Sequence, residues 1–315
     1  MNTPVRKRVA MIGIGDIARK VYLPLLSRHD QAEVVGVLSH SPSTVQGAVR
    51  SYRFPKGTTD LNELLSWELD AVFVHSPTPT HYELVTKCLE HGLAVYVDKP
   101  LSYDLEQSQR MAELAENKGL LLAVGFNRRF APMYTAAKAW LEKAGGISHC
   151  HAVKHRTKLQ SGSSHETIHD DLIHMLDLLL WLCGNDYELL KSSLKSDSEG
   201  RLLQSSGVLG WNPGVTGMYS MVRDAGADIE KLELHGSGRS VEVADMERAV
   251  LMEKGSLPRT QNFGSWDTVL ERRGFSGVVN HFLSTMNTPE QCGIAASAVL
   301  PSHKLAAEIA DCQMN

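Results

Sequence analysis

Val9-Ala10-Met11-Ile12-Gly13-Ile14-Gly15-Asp16-Ile17-Ala18 decides how the first half of this chain is built. Arg8–Gly13 is a short apolar run ending in glycine, the pattern of a buried strand. From Asp16 to Ser27 the apolar residues recur at helical spacing. The glycines therefore sit at a strand-to-helix turn and fit Gly-x-Gly-x-x-Gly/Ala. Gly13 permits the tight turn, Gly15 lets the backbone approach a pyrophosphate, and Ala18 lets helix and strand pack closely. The helix N-terminus adds N–H groups and partial positive charge where phosphates would lie. Gly13, Gly15, Asp16 and Ile17 are thus the expected contacts of a phosphate loop. A tight strand-to-helix turn exists without a ligand too; the position at the front of a βαβ pattern is what favours the nucleotide.

Outward from this turn, strands and helices alternate. Glu33–Leu38 reads as a strand, Ser43–Tyr52 as a helix capped by Ser43 or a neighbour, and Asp60–Trp67 as a short helix. Ala71–His75, Leu93–Val97 and Leu120–Gly125 read as strands, with helices over Thr80–His91, Leu105–Lys118 and Met133–Lys143. Strands apolar throughout and separated by helices predict a parallel sheet covered on both faces, an α/β domain. The ribose reader belongs at the end of the second strand, Val37-Leu38-Ser39-His40-Ser41. No carboxylate stands there, and Glu33 lies at the wrong edge, at the start of the strand. An acid at that strand end suits the 2′-hydroxyl of NAD. Its absence, with Ser39 and His40 as donors, leans the expected cofactor toward NADP over NAD.

Past about residue 147 the pattern changes. Ile147–Lys158 reads as a long strand and His165–Cys183 as helical over most of its length. Strand-like segments follow at Ser205–Leu209, Gly217–Val222, Lys231–His235, Ser240–Ala244 and Ala249–Met252, with Gly236–Arg239 as a hairpin connection. Gly277–Thr285 and Gly293–Ala310 read as terminal helices, the second interrupted near Pro301. Strands in a row predict a mainly antiparallel sheet, so the second domain is α+β. The expected division is 1–125 and 126–315, with the last helix returning to the first domain.

Composition sets outer limits. At about 150 residues per domain, 315 residues suggest two domains. Lys plus Arg is 32 and Asp plus Glu is 36, a net charge of -4, which argues against a nucleic-acid partner. No apolar run approaches the roughly 20 residues of a membrane span. Met1–Arg8 is short and basic, but the stretch after it lacks the apolar core and cleavage site of a signal peptide. Five cysteines stand singly with no Cys-x-x-Cys pair, as expected of free thiols in a reducing cytoplasm.

Two more strand ends carry polar residues: His75-Ser76-Pro77-Thr78-Pro79-Thr80-His81 and Asp98-Lys99-Pro100. Both belong on the carboxyl edge, where ligands bind. Together with the glycine loop they resemble the Gfo/Idh/MocA family of nicotinamide-dependent oxidoreductases. That family pairs the loop with a Ser/Thr/Asn-Pro turn, a His four residues after the Pro, and Glu-Lys-Pro, where Asp98 stands for Glu here. The resemblance continues through Gly125–Pro132 and into Asp170-Asp171-Leu172-Ile173-His174, where the family shows Asp-x-Gly-x-His and Leu172 replaces the glycine. With these departures the chain is most similar to the MviM/YceM subgroup.

The resemblance implies a Rossmann N-terminal domain and an α+β C-terminal domain built on an open, mainly antiparallel sheet. It implies cofactor contacts from Ser76, Pro77, His81 and Asp98, and a homodimer or homotetramer packed through the second sheet. It names Lys99, Asp170 and His174 as the catalytic set and leaves the substrate open, a small sugar-like compound by analogy.

Hydride transfer at nicotinamide C4 asks the protein to position a carbonyl or alcohol carbon, exclude water and handle one proton. The Lys99 ammonium suits the proton, since it polarises a carbonyl and its pKa falls readily on burial. His174 titrates nearest neutrality, and Asp170, four residues earlier, shares its helical face. Asn127, Arg129 and His155 are the candidate substrate contacts, with bracing of the domain junction as the other role for Arg129. His165-Glu166-Thr167-Ile168-His169 is a literal His-Glu-x-x-His, the pattern of two zinc ligands and a base. Zinc chemistry would leave the phosphate loop and Asp98-Lys99-Pro100 without a purpose, so no metal is expected. The reading is an NAD(P)-dependent oxidoreductase acting on CH–OH or C=O; the rival is a dinucleotide-binding sensor or scaffold, which has no need of Lys99, Asp170 and His174 together.

Overall fold

Six parallel strands form the first sheet in the order β3-β2-β1-β4-β5-β6. They are β1 (Lys7–Ile12), β2 (Ala32–Leu38), β3 (Lys56–Thr58), β4 (Ala71–Val74), β5 (Ala94–Val97) and β6 (Leu122–Val124). The structure is a computed structural model and describes residues 6–312, so the first five residues of the basic segment Met1–Arg8 lie outside the described residues. The strands are buried runs: Val9, Met11 and every residue of β4 are at 0% exposure. Between them run a π-helical turn (Ala18–Tyr22) continuing into α1 (Leu23–Leu26), then α2 (Pro42–Tyr52), α3 (Leu61–Leu65), α4 (His81–Glu90) and α5 (Leu105–Lys118). Ser41 caps α2, Asp60 caps α3 and Asp104 caps α5, each through its side-chain oxygen.

Each strand end is latched to its neighbour. The Gly13 N–H donates to Leu38 O (2.9 Å), His75 N–H to Ile12 O (2.7 Å), Asp98 N–H to Val74 O (2.9 Å) and Gly125 N–H to Val97 O (2.9 Å). Gly13, His75, Asp98 and Gly125 therefore stand in a row along the carboxyl edge. The chain order reverses between β1 and β4, the switch point at which such sheets bind ligands.

The chain divides into two compact units: Met1–Gly125 with Val278–Leu300, and Phe126–Gly277 with Pro301–Asn315. The second contains α6 (Pro132–Glu142), β7 (His149–His155), α7 (Ser164–Thr167), a π-helical turn (Ile168–Leu172) and α8 (Ile173–Cys183). There follow β8 (Glu188–Ser196), β9 (Leu202–Trp211), β10 (Val215–Val222), β11 (Ile229–Gly236), β12 (Arg239–Ala244), β13 (Arg248–Glu253), β14 (Arg259–Asn262) and α9 (Val269–Arg272). These strands make one sheet, β14-β13-β12-β11-β7-β10-β9-β8, antiparallel except for the β7–β10 pair. Alternate residues turn inward: Cys150, Ala152, Leu209, Tyr219, Met221, Leu232 and Val243 are buried, while Met218 on the other face is exposed. Helix α8, with nine of its eleven residues buried, fills the core beneath that sheet.

One expectation is corrected: α11 (Ala296–Asp311) runs through Pro301 without interruption, and β3, β8 and β14 are strands the sequence pattern did not mark. Proline removes one backbone donor; Val299, Leu305, Ala306 and Ile309, all fully buried, hold the helix regardless. The chain changes units inside α11 and inside α10 (Phe275–Thr285), so Val278–Leu300 belongs to the first unit and the end of the last helix to the second.

Candidate active site

The glycine turn is built as a nucleotide loop requires. Gly13 has φ 90°, and a Cβ there would stand 2.4 Å from Ser76 N and 2.6 Å from His75 C. Only glycine allows the turn to press against the end of β4. At Gly15 the nearest atom to an added Cβ is His75 O at 3.9 Å, so the loop is open on that side. The helix starts at Asp16, and its first bond runs from Arg19 N–H to Gly15 O (3.1 Å). Backbone donors at a helix start and an open glycine fit a dinucleotide pyrophosphate. Asp16 is exposed and pairs with Lys20 at 2.8 Å; Ile17 is half-buried. At the end of β2, Ser39 is buried and His40 exposed.

The turns after β4 and β5 are tied together by His81. Its Nδ1 lies 2.9 Å from Pro100 O and its Nε2 2.9 Å from Ser76 O. Both acceptors are carbonyls, yet burial is the stronger influence and holds its pKa below the usual imidazole range. His81, one of the expected cofactor contacts, thus braces the two turns. Ser76 Oγ accepts from the Thr80 hydroxyl (2.8 Å), and Ser76 and Pro77 form the turn itself. The Lys99–Pro100 peptide is cis, and Lys99 N–H donates to Asp98 Oδ1 (2.9 Å).

Behind Asp98 lies a buried polar cluster that sequence reasoning missed. His75 stacks on Tyr22 (centroids 3.9 Å apart, 23° between planes), and its Nδ1 is 3.9 Å from Asp98 Oδ2. The Tyr22 and Tyr96 hydroxyls are 2.8 Å apart. Gly125 leaves the room: a Cβ there would stand 2.9 Å from Tyr96 Oη and 3.3 Å from Asp98 Oδ1. Burial alone would raise the Asp98 pKa; His75 and the Lys99 charge outweigh it and hold the carboxyl below its ordinary range.

In the second unit, His174 is the second residue of α8, buried, with its ring edge-on to Phe126 (6.3 Å, 87°). Asp170 is half-buried on the π-helical turn, whose wider winding replaces the plain α spacing assumed for the Asp170/His174 pair. Leu172, where the family glycine was expected, is fully buried. The neighbouring Asp171 pairs with both Lys154 and Arg223. Burial, reinforced by Arg128, brings Lys154 down to about 8. Arg128 grips Glu230 with two bonds (2.6 and 2.8 Å), and this outweighs burial to bring Glu230 down to about 2.

The candidate substrate contacts Asn127, Arg129 and His155 each have a partner within the protein. The Arg129 guanidinium makes paired bonds to Asp177 (2.9 and 2.6 Å), which also accepts from Ser302 Oγ (2.9 Å). Asn127 is buried and donates to Arg273 O (2.8 Å). Both side chains brace the second unit through these bonds. His155 Nδ1 accepts from Val222 N–H (3.1 Å), pinning the ends of β7 and β10. In the His165–His169 motif, Glu166 closes a capping box with Ser163, and burial pushes His169 down to about 4 as it donates to His165 O (2.9 Å). That motif starts a helix.

A parallel sheet with a Gly-x-Gly-x-x-Ala turn at its switch point defines a nicotinamide-nucleotide-binding oxidoreductase domain. The chain belongs to the Gfo/Idh/MocA oxidoreductase family: residues 7–126 match the oxidoreductase family with the NAD-binding Rossmann fold, and residues 132–254 the YceM-like C-terminal domain. It is 35% identical over 292 residues to the YceM protein of Salmonella typhimurium, covering 91% of this chain and 92% of that one. It is similar to the crystal structure of the dehydrogenase MviM from Clostridium difficile, with a TM-score of 0.91 at 31% identity, over 97% of this chain and 99% of that one. The scyllo-inositol 2-dehydrogenase (NAD(+)) of Bacillus subtilis is 30% identical over 185 residues, 56% of this chain and 54% of that one. Among the described residues no helix is long and apolar enough to cross a membrane.

Proposed function

We propose that this protein transfers a hydride between C4 of a bound nicotinamide and a hydroxyl or keto group of a small polar, sugar-like substrate in the cytoplasm. The observation that carries this reading is the placement of Lys99 one strand from the glycine turn's neighbour β4, on the same carboxyl edge. Gly13, Gly15 and the helix start at Asp16 would hold the pyrophosphate, with Ser39 and His40 at the ribose. No carboxylate stands at that end of β2, which favours NADP over NAD.

The bound cofactor supplies or accepts the hydride; the chain handles the proton. Lys99 Nζ polarises the substrate oxygen and passes its proton. His81, Asp98 and His75 fix the backbone that presents it. His174 is the second proton carrier, with Asp170 as its partner. The sugar-like substrate class is supported by the inositol dehydrogenase relative. The open outer face of the second sheet, with Met218, Leu190 and Met252 exposed, supports a homodimer or homotetramer packed there.

The test is a panel of cyclitols, sugars and their keto forms, each followed by nicotinamide absorbance with NADP and NAD. Saturable turnover with one compound class supports the proposal. Tight cofactor binding with no turnover across the panel in either direction would favour a sensor.

A further inference from the structure

Cys150 lies on β7 and Cys183 ends α8, 33 residues apart in sequence, with their Sγ atoms 3.5 Å apart. Nothing in the oxidoreductase reading uses either thiol. We propose that Cys183 and Cys150 are a dithiol exchange site that reacts with low-molecular-weight disulfides and closes to an intramolecular disulfide.

The two sulfurs differ in the way such a pair requires. Cys183 is half-buried and reaches solvent, whereas Cys150 is fully buried beneath it. The Cys183 thiol is held below its ordinary range by the contact with Cys150 and by the charge of Lys138, although burial opposes this. The Cys150 thiol is pushed up by the same contact and by burial. Lys138 is fixed nearby, donating to Trp181 O (2.7 Å) and lying 4.4 Å over the Trp181 ring. A partly exposed thiol beside a cation is the attacking group. The buried thiol against it resolves.

The exchange balances. The Cys183 thiolate attacks one sulfur of a small disulfide, and the other half leaves as a thiol, taking up the proton that Cys183 gave. A mixed disulfide then stands at Cys183. Cys150 attacks Cys183 Sγ and releases the second small thiol, which takes the Cys150 proton. Two protein thiols are oxidised and one small disulfide is reduced. Closure brings the sulfurs from 3.5 Å to about 2 Å. Gly217 preserves the space: a Cβ there would stand 3.1 Å from Cys150 Sγ and 2.8 Å from the Trp211 ring.

The other cysteines serve as controls. Cys88 and Cys292 are buried and Cys312 is exposed. The experiment treats the reduced, folded full chain with oxidised glutathione, quenches with acid and maps non-reduced peptides by mass spectrometry. The expected result is a Cys150–Cys183 linked peptide in most molecules. Cys150→Ser should trap one glutathione on Cys183, and Cys183→Ser should leave Cys150 unmodified. Matched circular-dichroism melts of the variants establish that they are folded. Glutathione on Cys312 with no Cys150–Cys183 linkage would overturn the proposal. So would an unmodified Cys183 in folded Cys150→Ser.

Discussion

Lys99 and Glu230 show how single side chains carry the account. Replacing Lys99 by Met removes the proposed proton carrier and leaves the glycine turn and the Asp98 latch intact. Turnover on any substrate found in the panel is expected to fall about 10²-fold or more. Dinucleotide affinity, read by fluorescence titration, is expected to stay within a few fold. Unchanged turnover would remove Lys99 from the mechanism. Glu230 is 4% exposed and its carboxylate answers Arg128. Glu230→Gln leaves a buried guanidinium without its charge partner, a loss of about 3 kcal/mol. Because the folded pKa lies at about 2, below the ordinary 4.5, the stabilisation is full above pH 4.5 and fades as pH falls toward 2. Urea unfolding should therefore show a wild-type-to-variant gap that is wide near neutrality and shrinks in acid. A gap that grows in acid would refute the assignment. The glycine turn and the Asp98-Lys99-Pro100 turn were legible in the sequence because each motif is a few contiguous residues. The His75–Asp98 and Lys154–Asp171–Arg223 contacts were not, because they join strand ends and turns that only the folded sheets bring together. For the same reason the sequence left Arg129 between a ligand contact and a brace, since its partner Asp177 stands 48 residues away.

Elements were legible where burial imposes a pattern. Parallel strands such as β4 are apolar throughout and stand out. β3 has three residues, two of them exposed, and all four residues of β14 are exposed, so neither carries a hydrophobic signal. β8 is an edge strand with no fully buried residue. The π-helical turn at Ile168–Leu172 leaves no mark in apolar spacing that would separate it from an α-helix. Glycines test the register. A Cβ on Gly207 would stand 2.5 Å from Tyr219 Oη and 2.6 Å from Lys191 O, so Gly207→Ala wedges β9 against β8 and the core. The expected loss is about 1–3 kcal/mol, seen in thermal melts. Gly47 lies inside α2 with nothing within 4 Å of an added Cβ. Gly47→Ala is expected to leave stability unchanged or raise it by up to about 1 kcal/mol. Equal melts for the two variants would contradict the register of β8, β9 and β10.

At the scale of the whole molecule, the family, both sheet classes and the oxidoreductase activity follow from the chain's two halves. The first half stated its architecture in its opening turn. The second stated only its class: its inner strands alternate, but the edge strands β8 and β14 bury no residue and leave the ends of the sheet unmarked. The central claim is that the turn at Gly13–Ala18 binds a nicotinamide dinucleotide and prefers the one bearing a 2′-phosphate. Calorimetric titration of the purified protein with NADPH and with NADH, in separate runs with EDTA present, tests it directly. The account predicts one cofactor per chain, bound more tightly as NADPH than as NADH. Tighter binding of NADH would contradict the reading of Ser39 and His40, and binding of neither would contradict the claim itself.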